Sequence, residues 1–183
     1  PGYLLSAEPD EIDLFRFERL LAEGGKALAA DDPETAAGLL REALALWRGP
    51  ALAEFAPEPF ANIEGGRLDD LRVAALEERI RADLALGRHA DLIGELEVLI
   101  AEHPHREPLT EQLMLALYRC DRQSEALQAY QDARQLLVEE LGLEPSRRLR
   151  DLERAILRQD PSLDVARVRA EPPALFQPPS DSQ

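Results

Sequence analysis

The stretch Glu125-Ala126-Leu127-Gln128-Ala129-Tyr130-Gln131-Asp132-Ala133 sets small or apolar residues, Ala126, Tyr130 and Ala133, at offsets of four and then three. On an α-helix those offsets share one face. The same offsets recur 34 positions earlier at Leu92, Leu96 and Leu99, and again at Ala36, Leu40 and Ala43. The first and second sets lie 56 residues apart, which is 34 plus an insertion of 22. The proline-bearing stretch 48–61 falls where that insertion must lie.

A helix pair repeating at this interval has the tetratricopeptide period. One pair cannot bury its own apolar face, whereas stacked pairs share a continuous core. The sequence therefore predicts an all-α, tetratricopeptide-like right-handed stack of about three helix pairs plus a capping helix. A plain helical bundle is the alternative, but it does not require the register. Gly24 sits where the first helix of a unit needs a small residue to approach its partner. Ile80 and Met114 occupy that place in the second and third units, which predicts wider spacing there.

Punctuation along the chain fits this plan. Acidic Glu8, Asp10, Glu11 and Asp13 suit a helix start, and Leu14, Phe17, Leu21, Gly24 and Leu28 follow at helical spacing. Asp32 reads as an N-cap and Pro33 as the first helical residue. Residues 48–61 read as an ordered loop whose Leu52, Phe55 and Phe60 pack onto the helices. A helix is expected from about residue 62 to Leu86, stopped by Gly87. Further helices are expected over 89–102, 108–121 and 122–141, with Gly142 as a stop and a last helix from Pro145 to about Gln159. Residues 8–160 thus form the expected domain. Residues 1–7, with strand-like Tyr3-Leu4-Leu5, read as a remnant of a preceding domain or a linker. Residues 161–183, with Pro161, Pro172, Pro173, Pro178 and Pro179, read as a flexible proline-rich tail.

Composition narrows the function. The 183 residues are 45% hydrophobic but only 5% aromatic, so Leu and Ala carry the apolar load. A formal charge of −15 opposes unaided binding to a phosphate backbone. The lone Cys120 cannot form an internal disulfide and reads as a buried structural thiol. With no apolar run near the length of a membrane span, the expected location is cytoplasmic.

Catalytic signatures are missing. No Ser-His-Asp arrangement or Gly-rich phosphate loop appears, and carboxylates are too abundant for any pair to carry meaning. His103-Pro104-His105, flanked by Glu102 and Glu107, has no helical i, i+4 geometry and no third ligand, so it reads as a polar turn rather than a metal site. No cofactor or metal is expected, and the chain reads as a non-enzyme. Trp47 reads as a core residue pinning the inserted loop. The tetratricopeptide groove is lined by the first helix of each pair, which places Glu77, Arg81, Glu111, Leu115, Tyr118 and Arg119 as exposed partner-binding positions. Arg147, Arg150, Arg154 and Arg158 share one helix face, opposite Leu149, Leu152 and Ile156. They read as a solvated face, or as a basic stripe for an acidic partner surface or for DNA phosphates brought near by a docked DNA-binding domain.

Five segments carry a family resemblance. They are Leu44-Ala45-Leu46-Trp47-Arg48-Gly49-Pro50-Ala51-Leu52, Ala85-Leu86-Gly87-Arg88-His89, Leu113-Met114-Leu115-Ala116-Leu117-Tyr118-Arg119, Glu125-Ala126-Leu127-Gln128-Ala129-Tyr130 and Glu140-Leu141-Gly142-Leu143-Glu144-Pro145. In this order they resemble the bacterial transcriptional activator domain (BTAD) of the Streptomyces antibiotic regulatory protein (SARP) family, over roughly residues 8–160. The resemblance implies a protein-interaction domain that contacts RNA polymerase or a co-regulator while a separate winged-helix domain binds DNA. Pairing with a second copy is also expected of regulators that read repeated sites. The alternative is a stand-alone scaffold or ligand-sensing module unrelated to transcription.

Overall fold

A computed structural model describes residues 13–49, 51 and 59–164. Seven α-helices run through them: α1 Asp13–Ala29, α2 Pro33–Ala45, α3 Pro59–Ala85, α4 His89–Glu102, α5 Glu107–Arg119, α6 Gln123–Leu136 and α7 Arg147–Leu157. A π-helical turn, Leu137–Leu141, extends α6, and a 3-10 turn, Pro161–Leu163, follows α7. The described residues contain no strand. The expected strand at 3–5, the acidic helix start before Asp13, the side chains of Leu52, Phe55 and Phe60, and the tail beyond Asp164 lie outside the described residues.

Of the nine stripe residues that define the repeat, eight are buried and Ala133 is partly buried. Ala36, Leu40, Ala43, Leu96 and Ala126 are fully buried, and Leu92, Leu99 and Tyr130 nearly so. Helices adjacent in the chain pack on one another, α1 on α2, α2 on α3, α4 on α5 and α5 on α6, with only slight contact between α3 and α4, while α7 packs on α5 and α6 as the cap. One core joins α3 to α7 around Ile80, Leu96, Leu109, Met114, Leu149 and Ile156. Two smaller clusters join α1, α2 and α3 around Phe17, Leu20 and Ala75 and around Ala36, Leu40 and Ala82. Trp47 seals the first of these: its ring stands edge-on to Phe17, 5.4 Å between centroids, with the Arg72 guanidinium 5.6 Å from its own centroid.

Local chemistry explains the boundaries. The Asp32 carboxylate accepts a hydrogen bond from the Thr35 amide at 3.1 Å and Pro33 opens α2. Ser146 caps α7 by accepting from the Leu149 amide. Gly87 and Gly142 take φ of +81° and +67°, conformations costly for residues with a Cβ.

Four expectations need correction. α3 begins at Pro59 rather than near residue 62, because proline in the first helical turn lacks only an N–H that would have no partner there. Ile80 does hold α3 and α4 apart, but Met114 does not separate α5 from α6. The partner stripe differs: α4 brings Leu92, Leu96 and Leu99, whereas α6 brings the small Ala126 and Ala133 on either side of Tyr130, beside which an unbranched, adaptable Met fits. Pro161–Leu163, expected to belong to the tail, is a packed turn with Leu163 against the main core. Cys120 is only partly buried, at the C-cap of α5, and packs against the same core.

Charge also joins the units. The nearly buried Asp83 of α3 receives hydrogen bonds from Arg41 of α2, from Arg79 at 3.3 Å and from Arg88 at 2.6 Å. Arg79, itself buried, also pairs with Glu95 of α4. Burial pushes the Asp83 carboxyl up, but the Arg88 and Arg79 hydrogen bonds and the Arg41 charge outweigh it. Its pKa therefore lies below the ordinary carboxylate value.

Candidate functional site

Between α3, α5 and α7 lies an open hollow of about 440 Å³. α3 supplies Arg81, Leu84 and Ala85; α5 supplies Pro108, Glu111, Gln112, Leu115 and Arg119; α7 supplies Arg148 and Leu152. The 3.6-residue period puts Pro108, Glu111, Leu115 and Arg119 on one side of α5. Four of the six positions expected at the groove therefore converge here.

Their exposure differs from the expectation. Arg81 is exposed and pairs with Glu78 of its own helix at 2.9 Å. Leu115 and Tyr118 are half-buried. Glu111 is buried, because α7 folds back and brings Arg148 Nε to 2.6 Å from its carboxylate. Burial pushes the Glu111 carboxyl above its ordinary pKa in spite of the opposing Arg148 charge. Glu77 is largely buried and does not line the hollow; Arg106 Nη1 lies 3.6 Å from its carboxylate. Burial raises its pKa too, against Arg106 and Arg81. Glu77 Oε1 has no hydrogen-bond partner, nor has Gln112 Oε1, although Gln112 Nε2 donates to the Glu77 carbonyl at 2.7 Å.

Arg119 is a structural tie rather than an exposed contact. Its Nη1 donates to the Leu84 carbonyl at 3.1 Å and its Nε to the Leu163 carbonyl at 2.7 Å. Burial holds its pKa below the usual arginine value, with Asp164 opposing. Beside it a polar hollow of about 340 Å³ is lined by His89, Tyr118, Gln123 and Asp164 among others. The sequence offered no signal for these contacts, because they depend on α7 and the turn after it returning to α5.

The α7 arginines are exposed, as the sequence implied, with Leu149 and Ile156 buried beneath. Arg147 and Arg154 both pair with Asp151, at 3.6 and 2.5 Å. Hydrogen bonds from Arg134 lower the Glu144 pKa and those with Ser162 lower the Asp160 pKa, and the charges of Arg150 and Arg158 add to the effect. The strip therefore carries partly compensated charge. At the other end of α5, His105 Nε2 lies 2.8 Å from Glu140 Oε2, which makes the His103–His105 turn a hydrogen-bonded corner. The described residues hold no cluster of metal-ligating side chains, and no helix among them is long and apolar enough to cross a membrane.

Comparison with known proteins agrees with this architecture. Residues 12–157 match the family model described as bacterial transcriptional activator domain. The chain is 46% identical over 163 residues to the regulatory protein DnrI of Streptomyces peucetius, covering 89% of this chain and 60% of DnrI. It is 45% identical over 171 residues to the regulatory protein AfsR of Streptomyces griseus, covering 93% of this chain and 17% of AfsR. Among solved structures it is similar to Mycobacterium tuberculosis EmbR in complex with a low-affinity phosphopeptide, with a TM-score of 0.84 and 42% identity over 88% of this chain and 42% of that one. The chain thus spans less than two thirds of each relative, from 60% of DnrI down to 17% of AfsR. These are transcriptional regulators, not enzymes, and the chain belongs to their family, as a bacterial transcriptional activator domain of the Streptomyces antibiotic regulatory protein type.

Proposed function

We propose that this domain activates transcription in the bacterial cytoplasm by holding a protein partner, RNA polymerase or a co-regulator, in the α3–α5–α7 groove. The observation that carries the reading is the groove itself, where an apolar floor of Leu84, Leu115 and Leu152 is flanked by Arg81 and Arg148. Stacked helix pairs make such concave surfaces for extended or helical segments. A relative captured with a phosphopeptide supports protein recognition in the family, though this chain matches only 42% of that one. DNA recognition belongs to a separate winged-helix domain, because a charge of −15 suits this chain poorly for that task. Pairing with a second copy on repeated sites completes the reading.

The test is a reconstituted transcription assay with the full-length regulator carrying Arg81→Glu or Leu115→Asp. DNA binding should persist while activation falls. Arg81 is the better probe than Arg119, whose substitution would also cut two ties to backbone carbonyls. Normal activation by both folded variants would remove the groove from the mechanism.

A further inference from the structure

The opposite side of the stack holds a second trough, of about 390 Å³. Its floor is Thr110, Leu113 and Leu117 of α5, and its walls are Ile100 of α4 and Ala129, Ala133 and Leu136 of α6. Helical periodicity sets Thr110, Leu113 and Leu117 about half a turn from Glu111, Leu115 and Arg119. The two surfaces are therefore separate, and this inference is independent of the groove reading.

Two features suggest what fits the trough. The first is shape. Along α6 the lining runs from Glu125 to Leu136, about 16 Å at 1.5 Å per residue. Ala129 and Ala133 keep the wall low, so the apolar floor stays open between α4 and α6. That length accommodates about three turns of a docked helix, with anchors at i, i+3 or i+4, and i+7.

The second is charge. Glu97, Glu125 and Asp132 stand exposed on the rim, and the described lining includes no cationic side chain. Beside the trough Arg122 is held by Glu125 through two hydrogen bonds of 2.7 and 2.6 Å. Asp132 accepts only from the neutral Gln128, at 2.7 Å, among its described hydrogen bonds. The overall acidity does not explain this: the groove across α5 is lined by Arg81, Arg119 and Arg148 against a single carboxylate, Glu111. The distribution of sign is specific to each face.

We infer that the α4–α5–α6 trough is a docking site for an amphipathic helix of a partner protein, with aliphatic residues on its inner face and Arg or Lys along its flanks. Leu113, Leu117 and Ile100 take the aliphatic anchors. Glu97 and Asp132 set orientation and speed encounter.

The experiment uses the intact 183-residue chain, isotope-labelled, and three synthetic peptides of about fourteen residues, the length of a three- to four-turn helix. The first places Leu at i, i+3, i+7 and Arg on the flanks. The second replaces each Arg by Glu. The third is a scramble of the first with the same charge. The first should bind and shift amide resonances of α4 and α6. The second should not bind, and the scramble should bind at least about tenfold more weakly, the factor that 1.4 kcal/mol produces. Glu97→Arg with Asp132→Arg should weaken the first peptide by a similar factor, and so should Ala133→Leu, which fills the trough without changing charge. If the reversals do not fold, Glu97→Gln with Asp132→Asn serves in their place. Equal binding of the scramble, or shifts confined to α3 and α7, would overturn the inference. So would sedimentation showing a dimer that Ala133→Leu dissociates, because a second copy would then be the occupant.

Discussion

A Cβ added to Gly24 would lie 2.6 Å from Cγ of Leu40 and 2.8 Å from its Cδ2. Leu40 belongs to the stripe that defines the first repeat and is fully buried, so α1 lies close against α2 at this point of the first pair. Gly24→Ala should destabilise the fold by about 1–3 kcal/mol, the usual cost of overpacking a filled core. The next glycine is the control. A Cβ on Gly25 meets nothing within 4 Å, so Gly25→Ala should stabilise by roughly 0.5–1 kcal/mol through helix propensity. Urea unfolding of both variants checks the pair, and equal effects would mean that α1 is not packed as described.

The first helix pair was the most legible part of the chain, since Gly24, the small residues of α2 and the Asp32-Pro33 cap are all local signals. The groove was legible only as a list of positions. Glu111 and Leu115 line the hollow from α5, but nothing in their neighbourhood tells that Arg148, 37 positions away, covers one of them. Arg119 looked like an available charge because its acceptors, Leu84 and Leu163, are backbone carbonyls that no side-chain pattern encodes. Pro59 misled for the converse reason: the same residue that breaks a helix interior is accepted at its first turn.

Asp83 makes the fold sensitive to acid. Its pKa is lowered in the folded chain, so its stabilisation is fully present above the ordinary value of 3.8 and is lost as pH falls through the folded pKa. Asp83→Asn should cost about 3–5 kcal/mol at neutral pH, as for other broken buried ion pairs, because Arg79 is buried beside it. The deficit should shrink toward zero in acid. A deficit constant across pH would mean that charge at Asp83 is not what joins α2 to α3.

Glu77 should show the opposite slope. Its folded pKa is raised by burial, so its favourable contribution is complete below the ordinary value of 4.5 and is lost as pH rises through the folded pKa. Glu77→Gln keeps the shape and removes the charge. It should stabilise the chain by roughly 1 kcal/mol at neutral pH, within the range for desolvating a polar group without full compensation. The gain should disappear in acid. Thermal melts across that range decide it, and a destabilised variant at neutral pH would mean that the Arg106 pairing outweighs burial.

Arg119 couples the closing turn to a titrating histidine. It fastens Leu163 and Leu84 through two backbone hydrogen bonds, and its charge, after burial, helps hold the His89 pKa below the ordinary 6.5. A histidine with a lowered folded pKa contributes stability that is present above its unfolded pKa and lost as pH falls through the folded one. Arg119→Met keeps the apolar stem and removes both effects. Stability at neutral pH should fall by about 2–3 kcal/mol, the scale of losing hydrogen bonds from a charged donor. The Leu163 amide, bonded to the Asp160 carbonyl, should exchange faster as the turn loses its anchor. The His89 pKa should rise toward its ordinary value but remain below it, because burial persists without Arg119. Stability should consequently depend less on pH on the acid side of 6.5 in the variant than in the parent chain. Proton NMR titration of His89 with hydrogen exchange at Leu163 reads both ends of the coupling. Unchanged exchange at Leu163 together with an unchanged His89 titration would show that Arg119 does not tie the cap to the third helix pair.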